Sequence, residues 1–184
     1  SREPLSQRQR FALTATLDFR FNPDEEQAAL RHNLALPPDR NPRARALAES
    51  WQSADADPAR LAQKALSFFS EENFFYTLQP PLLGEQAVDD FLFDTRRGFC
   101  EHYASAFTVV MRGAGVPARV VTGYQGGEFN PIGGYLIVRQ SHAHAWSEFW
   151  LPDSGWTRVD PTAAVAPERI ERGIEAALPG EELL

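Results

Sequence analysis

Residues 98–104 read GFCEHYA, and the helical pattern that they open decides the fold of this 184-residue chain. Apolar residues recur from here at steps of three and four: Tyr103, Ala104, Phe107, Val110 and Met111. This spacing predicts a buried helix that begins at Cys100 and ends at Gly113–Gly115. Cys100 is the only cysteine, and a thiol at a helix start lies near unsatisfied N–H groups and the positive end of the helix dipole. Both features favour the thiolate, so the stretch predicts an activated sulfur nucleophile.

Two later residues could activate this thiol. Alternation predicts a strand over Ala143–Leu151, which contains His144, and a second strand over Gly155–Asp160. The turn cluster PDSG separates them, so the two strands are expected to form an antiparallel hairpin. An imidazole can take the proton of a thiol, and a carboxylate such as that of Asp160 can orient the ring. The pattern does not choose between His142 and His144, because both lie on one face of the strand.

Each candidate residue also has a purely structural explanation. A free cysteine is among the most buried residue types, and Asp160 stands before Pro161, where an aspartate commonly caps a turn. A further possibility is a zinc site built from four residues: Cys100, His102, His142 and His144. Residues i and i+2 of a helix point in different directions, so His102 is expected to diverge from Cys100, which disfavours zinc.

The composition limits the classes of partner. The formal net charge is −7 and no dense basic run occurs, so nucleic acid is not an expected partner. Hydrophobic residues make up 43% of the chain, enough for a real core, but no signal peptide or apolar run of transmembrane length is visible. The chain begins with Ser1 rather than methionine, so we expect a soluble fragment or a processed chain. One cysteine cannot form an internal disulfide, and the residues themselves do not indicate a cellular location.

The order of the predicted elements indicates an α+β fold. Helical patterns come first and strand patterns follow, which argues against a doubly wound sheet. Besides the elements above, the patterns predict helices over 44–51, from Asp57-Pro58 onward and over 85–93, an extended segment over 74–78, a loop over 94–98, and strands over 119–125 and 134–140. Three parts are predicted: an N-terminal extension with a Pro-rich linker over 1–42, a main domain over 43–163 and a tail helix over 164–184. Alternation over Phe11–Phe21 predicts a strand within the extension.

Four motifs in this order resemble those of the transglutaminase-like superfamily. They are GFCEHYA at 98–104, GVPAR at 115–119 leading to Gly123-Tyr124, HAWSE at 144–148 and WTRVDPT at 156–162. The resemblance covers about residues 60–163, and the motifs are specific in combination. FLFD at 91–94 and NPRAR at 41–45 look like the bacterial branch carried by multi-pass inner-membrane proteins, which are named protein-glutamine γ-glutamyltransferases.

The resemblance implies a papain-like core, in which a nucleophile at a helix start packs on an antiparallel sheet. It implies that Cys100 is the nucleophile, that His144 is the general base and acid, and that Asp160 orients the imidazole. It thereby makes His142 a neighbour of the site rather than the base. Residues 43–163 become a transglutaminase-like catalytic domain.

The chemistry that the resemblance implies is acyl transfer through a thioester. The acyl group of a protein or peptide glutamine would pass to Cys100, and an amine donor or water would then take it. The second oxyanion donor stays open among three candidates: Gln79, Tyr76 and Trp51. No metal or other cofactor is expected, because no Asp-rich calcium loop is visible and Asp89-Asp90 is interpreted as helix-surface charge. The branch also implies a periplasmic domain of a membrane-anchored parent protein.

Two other functions stay open. The same three residues could serve a cysteine peptidase or amidase that hydrolyses cell-wall or other peptides, because family members differ in the acceptor that they use. A non-catalytic periplasmic module could instead bind a peptide without turnover. Binding alone does not require a thiol, an imidazole and a carboxylate together, which argues against the module.

Overall fold

Helix α5 (Cys100–Gly113) is the central element of the structure, a computed structural model that describes residues 9–16 and 19–171. The side chains at its apolar spacing are almost fully buried: Tyr103, Ala104, Phe107, Val110 and Met111. Where α5 ends, a Cβ on Gly113 would lie 2.9 Å from the Cβ of Ala48, so glycine lets a second helix approach closely. The buried helix predicted from the spacing is confirmed at both ends.

Most of the other helices precede α5 in the chain. Within the described residues they are α1 (Gln27–His32), α2 (Pro42–Ala54), α3 (Pro58–Glu71), α4 (Ala87–Asp89) and α6 (Pro167–Glu171). Helix α3 begins as predicted, because Asp57 accepts the N–H of Arg60 at 2.8 Å and Pro58 needs no N–H partner at the first helical position.

A three-stranded antiparallel sheet packs on one side of α5. Its strands lie in the order β3 (Ala118–Tyr124), β6 (Ala143–Leu151) and β7 (Gly155–Val159). The Ser147 hydroxyl on β6 donates to the carbonyl of Ala104 on α5 at 3.0 Å and so ties the two elements together. The predicted hairpin and the α+β fold class are both confirmed.

Two smaller strand pairs complete the described structure. Strands β1 (Phe75–Tyr76) and β2 (Arg97–Gly98) pair in parallel just before Cys100. Strands β4 (Glu128–Asn130) and β5 (Tyr135–Ile137) form a separate antiparallel hairpin. The first pair matters for the site, because it leads the chain directly to the start of α5.

Asp89 ties α4 to α2, because its carboxylate caps the start of α2. Its two oxygens accept the backbone N–H groups of Arg43 at 2.9 Å and of Ala44 at 2.8 Å. In return, the side-chain oxygen of Asn41 accepts the N–H of Val88 at 3.0 Å. Asp89 is only 2% exposed, so its interpretation as surface charge is wrong. A carboxylate here satisfies N–H groups that have no partner within their own helix.

The predicted strand over Phe11–Phe21 is wrong for the residues that the structure describes. Before Phe21 they have no regular structure, and Phe21 itself forms a single bridge, to Gly155 at the start of β7. The carbonyl of Phe21 accepts the N–H of Trp156 at 2.8 Å. The alternating apolar side chains do not pack, as Leu13 shows with 90% exposure. Alternation predicted a strand, but no partner strand extends beyond this bridge within the described chain.

Residues 21–42 nevertheless pack on the main domain. The carbonyl of Asn33 accepts the N–H of Ala118, the first residue of β3, at 3.1 Å. Arg112 on α5 donates to the carbonyl of Ala35 at 2.8 Å. Helix α1 was not predicted. The division of the chain at residues 42 and 163 stays a prediction.

Some predicted boundaries differ from the observed ones. The helix predicted over 85–93 is an α-helix only in α4 and continues as a π-helix over Asp90–Thr95, which occupies part of the predicted loop. The strand predicted over 134–140 is shortened to β5. Of the tail helix, only the first residues, in α6, are described, and the rest of it lies outside the described residues. Between residues 9 and 171, leaving aside 17–18, no helix is both long and apolar enough to cross a bilayer.

Candidate active site

Cys100 is the first residue of α5, and local contacts fix this end of the helix. The N–H of Phe99, the residue before it, donates to Nδ1 of His102 at 3.4 Å. A Cβ on Gly98 would lie 2.6 Å from Cγ of His102, so this close fit requires glycine. Cys100 is 8% exposed. Its sulfur therefore lies at the edge of the core, at the helix end where backbone N–H groups have no helical partner.

His102 diverges from Cys100, as the helical spacing predicted. It lines a second cavity of about 200 Å³ together with Leu83 and Phe91, whereas Cys100 lines a different one. Burial lowers the pKa of His102. His102 therefore stabilises the start of α5 and does not line the cavity that contains the thiol.

A short hydrogen bond joins His144 to Asp160. Nε2 of His144, on β6, lies 2.6 Å from Oδ2 of Asp160, the residue that follows β7. The other carboxylate oxygen, Oδ1, accepts the N–H of Thr162 at 3.2 Å. Because both oxygens are engaged, the carboxylate is fixed in orientation. It holds the imidazole in the tautomer that carries its proton on Nε2.

The second ring nitrogen of His144, Nδ1, is not engaged by Asp160. It is buried and has no hydrogen-bond partner among the residues that the structure describes. Burial of the ring opposes its protonation, but the hydrogen bond and charge of Asp160, together with the Cys100 side chain, outweigh burial and raise the pKa of His144. The thiol therefore lies near enough to the ring to stabilise an imidazolium.

Cys100 and His144 line one cavity of about 220 Å³ between α5 and the sheet. Its wall also includes Tyr76 of β1, Thr122 and Gly123 of β3, Ala145 of β6 and Arg169 of α6. The volume is below the roughly 300–1,000 Å³ that is typical of small-molecule sites. The cavity therefore suits a single side chain better than a bulky ligand.

Trp146 packs beside His144 on β6. The two ring centroids lie 6.4 Å apart with an interplanar angle of 24°, and the guanidinium of Arg158 lies 4.3 Å from the Trp146 centroid. A Cβ on Gly123 would lie 2.7 Å from Cη2 of Trp146. Because Gly123 has no side chain, the indole of Trp146 can occupy this space. The Gly123-Tyr124 segment and the HAWSE motif are therefore in direct contact.

His142 lies outside this cavity. It ends a 3-10 turn over Gln140–His142, where its Nδ1 accepts the N–H of Arg139 at 3.1 Å. Among the described residues, no three His, Cys, Asp or Glu side chains are arranged to hold a metal ion. The four residues considered for zinc therefore do not form a metal site in this part of the chain.

The three candidates for a second oxyanion donor lie in different places. Tyr76 lines the cavity with Cys100. Trp51 is buried in the main core, with its ring centroid 5.8 Å from that of Phe68. Gln79 does not line the cavity; its backbone N–H donates to the Thr77 hydroxyl. Of the three, only Tyr76 lines the cavity of Cys100, so only Tyr76 remains a candidate for the second oxyanion donor.

Arg169 is a cavity residue that the sequence did not indicate. It reaches the site because the chain turns back through a 3-10 turn over Pro161–Ala164 after Asp160. Its local pattern is that of a basic residue on an amphipathic helix, which ordinarily faces solvent. No local signal could have placed it in the cavity, because the placement depends on the reversal.

Comparisons with known proteins identify the family of the chain. The family model of the Transglutaminase-like superfamily matches residues 45–161. A "Protein-glutamine gamma-glutamyltransferase" of Pseudomonas aeruginosa is 60% identical over 149 residues, which make up 81% of this chain and 22% of that relative. The chain belongs to the transglutaminase-like superfamily.

Solved structures of a similar transglutaminase-like domain support the fold. They are two crystal structures of the periplasmic domain of TgpA from Pseudomonas aeruginosa, one of them bound to ethylmercury. Both are 56% identical to this chain, with TM-scores of 0.82 and, for the ethylmercury complex, 0.80. The matches cover 85% and 82% of this chain, respectively, and 54% of each solved chain. The predicted transglutaminase-like core is thereby confirmed.

A more distant similarity completes the comparison. The "Uncharacterized protein YebA" of Bacillus subtilis is 42% identical over 86 residues, which are 45% of this chain and 12% of YebA. The chain thus spans only 22% and 12% of these two curated relatives. The family match ends at residue 161, so Arg169 lies beyond the matched part of the chain.

Proposed function

We propose that this chain is the catalytic domain of a protein-glutamine γ-glutamyltransferase, with Cys100, His144 and Asp160 as its catalytic triad. One observation carries the proposal. The 2.6 Å bond from His144 Nε2 to Asp160 leaves Nδ1 without a partner, in a residue that shares a cavity with the only thiol of the chain. The name of the Pseudomonas aeruginosa relative supports the same activity.

The first half of the proposed reaction forms a thioester. The Cys100 thiolate attacks the carbon of the glutamine carboxamide, so that a C–S bond forms and the carbonyl electron pair moves to oxygen. The N–H of Cys100, at the open end of α5, is positioned to stabilise this oxyanion. His144 donates its Nδ1 proton to the departing nitrogen, ammonia leaves and the acyl group stays on sulfur.

The second half transfers the acyl group. An amine enters the cavity, and neutral His144 accepts its proton at Nδ1 while the nitrogen attacks the thioester carbon. The C–S bond breaks and the thiolate returns, paired with the imidazolium. Asp160 holds the ring in place throughout. Water in place of the amine would give hydrolysis to glutamate.

We also propose that the domain lies in the periplasm, as part of a longer, membrane-anchored protein. The related structures from Pseudomonas aeruginosa are of a periplasmic domain, and the curated relative is several times longer than this chain. The proposed substrates are glutamine side chains of proteins or peptides and primary amines. With its net charge of −7, the chain is not expected to bind nucleic acid.

The proposed activity is tested with the purified chain, a glutamine peptide blocked at both termini and a biotinylated primary amine. We expect amine incorporation together with release of one ammonia per acyl group formed. Without the amine, mass spectrometry of the intact protein should detect the peptide acyl group on Cys100, with ammonia lost. Cys100→Ser and His144→Ala should abolish both signals, whereas His142→Ala, a matched histidine outside the cavity, should retain them.

The possible outcomes separate the candidate functions. Ammonia with free glutamate and no incorporated amine would make the chain a hydrolase and refute transfer. An absence of both ammonia and acylated protein would refute enzymatic activity on glutamine. Full activity in His144→Ala would refute the proposed role of the triad.

A further inference from the structure

Arg169 is a buried cation in the wall of the cavity that holds Cys100 and His144. It is 1% exposed, and its Nη2 donates to the carbonyl of Ala143, the residue before His144, at 3.1 Å. It lies beyond the part of the chain that the family model matches. Burying a guanidinium costs free energy unless its charge is paired or its N–H groups are hydrogen-bonded. The position of Arg169 in a cavity with a thiol therefore calls for an explanation.

The charge of Arg169 is not neutralised by an ion pair within the described part of the chain. No carboxylate there forms a salt bridge with it, and its buried Nε has no hydrogen-bond partner among those residues. The Arg169 side chain lines the same cavity as Tyr76, and its hydrogen-bonding capacity and positive charge act to lower the pKa of the Tyr76 hydroxyl. The positive charge therefore acts on Tyr76 and, through it, on the cavity.

Tyr76 faces the reacting groups. It is 8% exposed, it lines the cavity with Cys100, and its hydroxyl interacts electrostatically with Cys100 and Asp160. Burial, and after it the charge of Cys100, raises the pKa of Tyr76, while Arg169 acts in the opposite direction. The hydroxyl thus keeps its proton at neutral pH and can donate it in a hydrogen bond. A hydroxyl that accepts a hydrogen bond from a cation becomes a stronger donor.

We propose that Tyr76 is the second oxyanion donor and that Arg169 is the positioning residue that aims and strengthens it. This inference rests on the proposed function. When the Cys100 sulfur bonds to the carboxamide carbon, the electron pair of the carbonyl moves to oxygen. That oxygen accepts one hydrogen bond from the N–H of Cys100 and one from the hydroxyl of Tyr76. No proton leaves Tyr76, and the oxygen returns its electron pair to carbon when ammonia departs with the proton of His144.

The arrangement makes the segment after Asp160 part of the active site. Arg169, on α6, lines the cavity together with Tyr76 of β1 and donates to the carbonyl of Ala143 at the start of β6. It therefore fixes the position of the Tyr76 hydroxyl relative to β6, the strand that carries His144. A catalytic domain cut at residue 163 would keep the triad but lose this contact.

The test compares Tyr76→Phe and Arg169→Met with two matched controls. Tyr124→Phe removes an exposed hydroxyl, and Arg60→Met removes an exposed cation on α3, so both leave the cavity intact. We measure ammonia release from the glutamine peptide under saturating and limiting peptide. Removal of one oxyanion donor typically lowers the rate about 10²–10³-fold. We expect Tyr76→Phe to lower kcat by about 10²-fold with little change in KM, and the controls to match wild type.

A second readout distinguishes an oxyanion donor from a merely structural residue. Alkylation of Cys100 by iodoacetamide displaces iodide from a saturated carbon and forms no oxyanion. We therefore expect its rate in Tyr76→Phe to stay within about twofold of wild type, while ammonia release falls. Arg169→Lys, which keeps a cationic donor, should retain more activity than Arg169→Met.

Each outcome decides between the two proposals. A wild-type protein that releases no ammonia refutes the proposed function itself. An active wild type with unchanged kcat in Tyr76→Phe overturns only the present inference, as does a parallel fall in alkylation and ammonia release. If Arg169→Met does not fold, Tyr76→Phe and Arg169→Lys still decide the question.

Discussion

The substitution Asp160→Asn removes one charge from the site with little change in shape, and the structure predicts its effect in detail. In wild type, Oδ2 accepts the proton of His144 Nε2 and Oδ1 accepts the N–H of Thr162. In the asparagine variant, one of these two carboxylate oxygens is replaced by an NH₂ group. If its oxygen keeps the N–H of Thr162, its NH₂ faces Nε2, which must then become an acceptor. The ring proton moves to Nδ1, the nitrogen that takes the proton of Cys100 in the proposed mechanism.

The opposite orientation of the amide is no better. Its oxygen would accept from Nε2, but its NH₂ would then face the N–H of Thr162, donor against donor, in a part-buried place. The wrong tautomer is therefore favoured. A triad locked in the wrong tautomer typically loses about 10⁴-fold in rate, which equals about 5.5 kcal/mol in the activation free energy.

The assay is kcat for amine incorporation, with thermal unfolding measured in parallel to show that the variant is folded. Asp153→Asn, in the exposed turn between β6 and β7, makes the same chemical change away from the site and should match wild type. Iodoacetamide alkylation of Cys100 should also slow in Asp160→Asn, because the imidazole no longer accepts its proton. A folded variant that retains more than one tenth of the wild-type rate would refute this reasoning.

Three further predictions concern stability. Because the pKa of His144 is raised above 6.5 in the folded protein, its stabilisation is fully present below pH 6.5 and is lost as the pH rises through the folded pKa. Urea titrations between about pH 5.5 and pH 9 should therefore show wild type losing stability relative to His144→Gln above pH 6.5. Gly155→Ala should cost more than the roughly 1–2 kcal/mol of left-handed backbone strain, because φ is +75° and the new Cβ would lie 2.1 Å from the carbonyl oxygen of Phe21. Asp89→Ala should lower the free energy of unfolding by about 2–3 kcal/mol, because one part-buried and one buried N–H group of α2 lose a charged acceptor.

Matched variants check the last two effects. Gly134→Ala also places alanine at a positive φ, +61°, but its Cβ would meet nothing within 4 Å, so it reports strain alone. Equal losses for the two glycine variants would contradict the contact with Phe21. Asp94→Ala removes an exposed carboxylate that pairs with Arg43, and it should cost no more than about 1 kcal/mol. If Asp94→Ala were as costly as Asp89→Ala, the capping role would be wrong. For the pH prediction, a constant difference between wild type and His144→Gln would show that the pKa is not raised.

The sequence predicts the parts of the fold whose pattern is local. Helix α5 and the β6–β7 hairpin are correct because buried faces impose periods of 3.6 and 2 on their residues, and PDSG is a turn sequence. The hairpin brings Asp160 to His144, and the packing of α5 on the sheet brings Cys100 to the same cavity as His144. The choice of His144 over His142 came from the resemblance, and the structure places His142 in a turn outside the cavity.

Features that depend on distant partners could not be predicted. Asp89 lies next to another aspartate, and only the position of α2, 45 residues earlier in the chain, makes it a buried cap. The alternation at Phe11–Phe21 resembles a strand, but a strand also requires an edge to pair with. Arg169 reaches the site through a chain reversal. In each case the outcome depends on whether a distant part of the chain supplies a partner, which no local pattern records.

The contact between Gly123 and Trp146 leads to a prediction that tests how the site is held. These residues belong to motifs on paired strands, and Gly123 lies opposite His144 in the register of β3 and β6. Gly123→Ala would place a Cβ 2.7 Å from the indole, which stacks beside the His144 ring, so the indole must move. A displacement of about 1 Å at a catalytic group can cost about 10²-fold in rate. We expect a loss of that order in kcat, with about 1–3 kcal/mol of stability lost to overpacking.

The double variant with Trp146→Phe separates this cause from a direct effect on the backbone. The smaller ring leaves room for the new methyl group, so Gly123→Ala should cost less, in both kcat and stability, in the Trp146→Phe background than in wild type. Such a difference is the coupling energy of two residues in contact. Equal losses in both backgrounds would mean that the indole does not transmit the change. The glycine would then matter for another reason, such as the entry of substrate past β3.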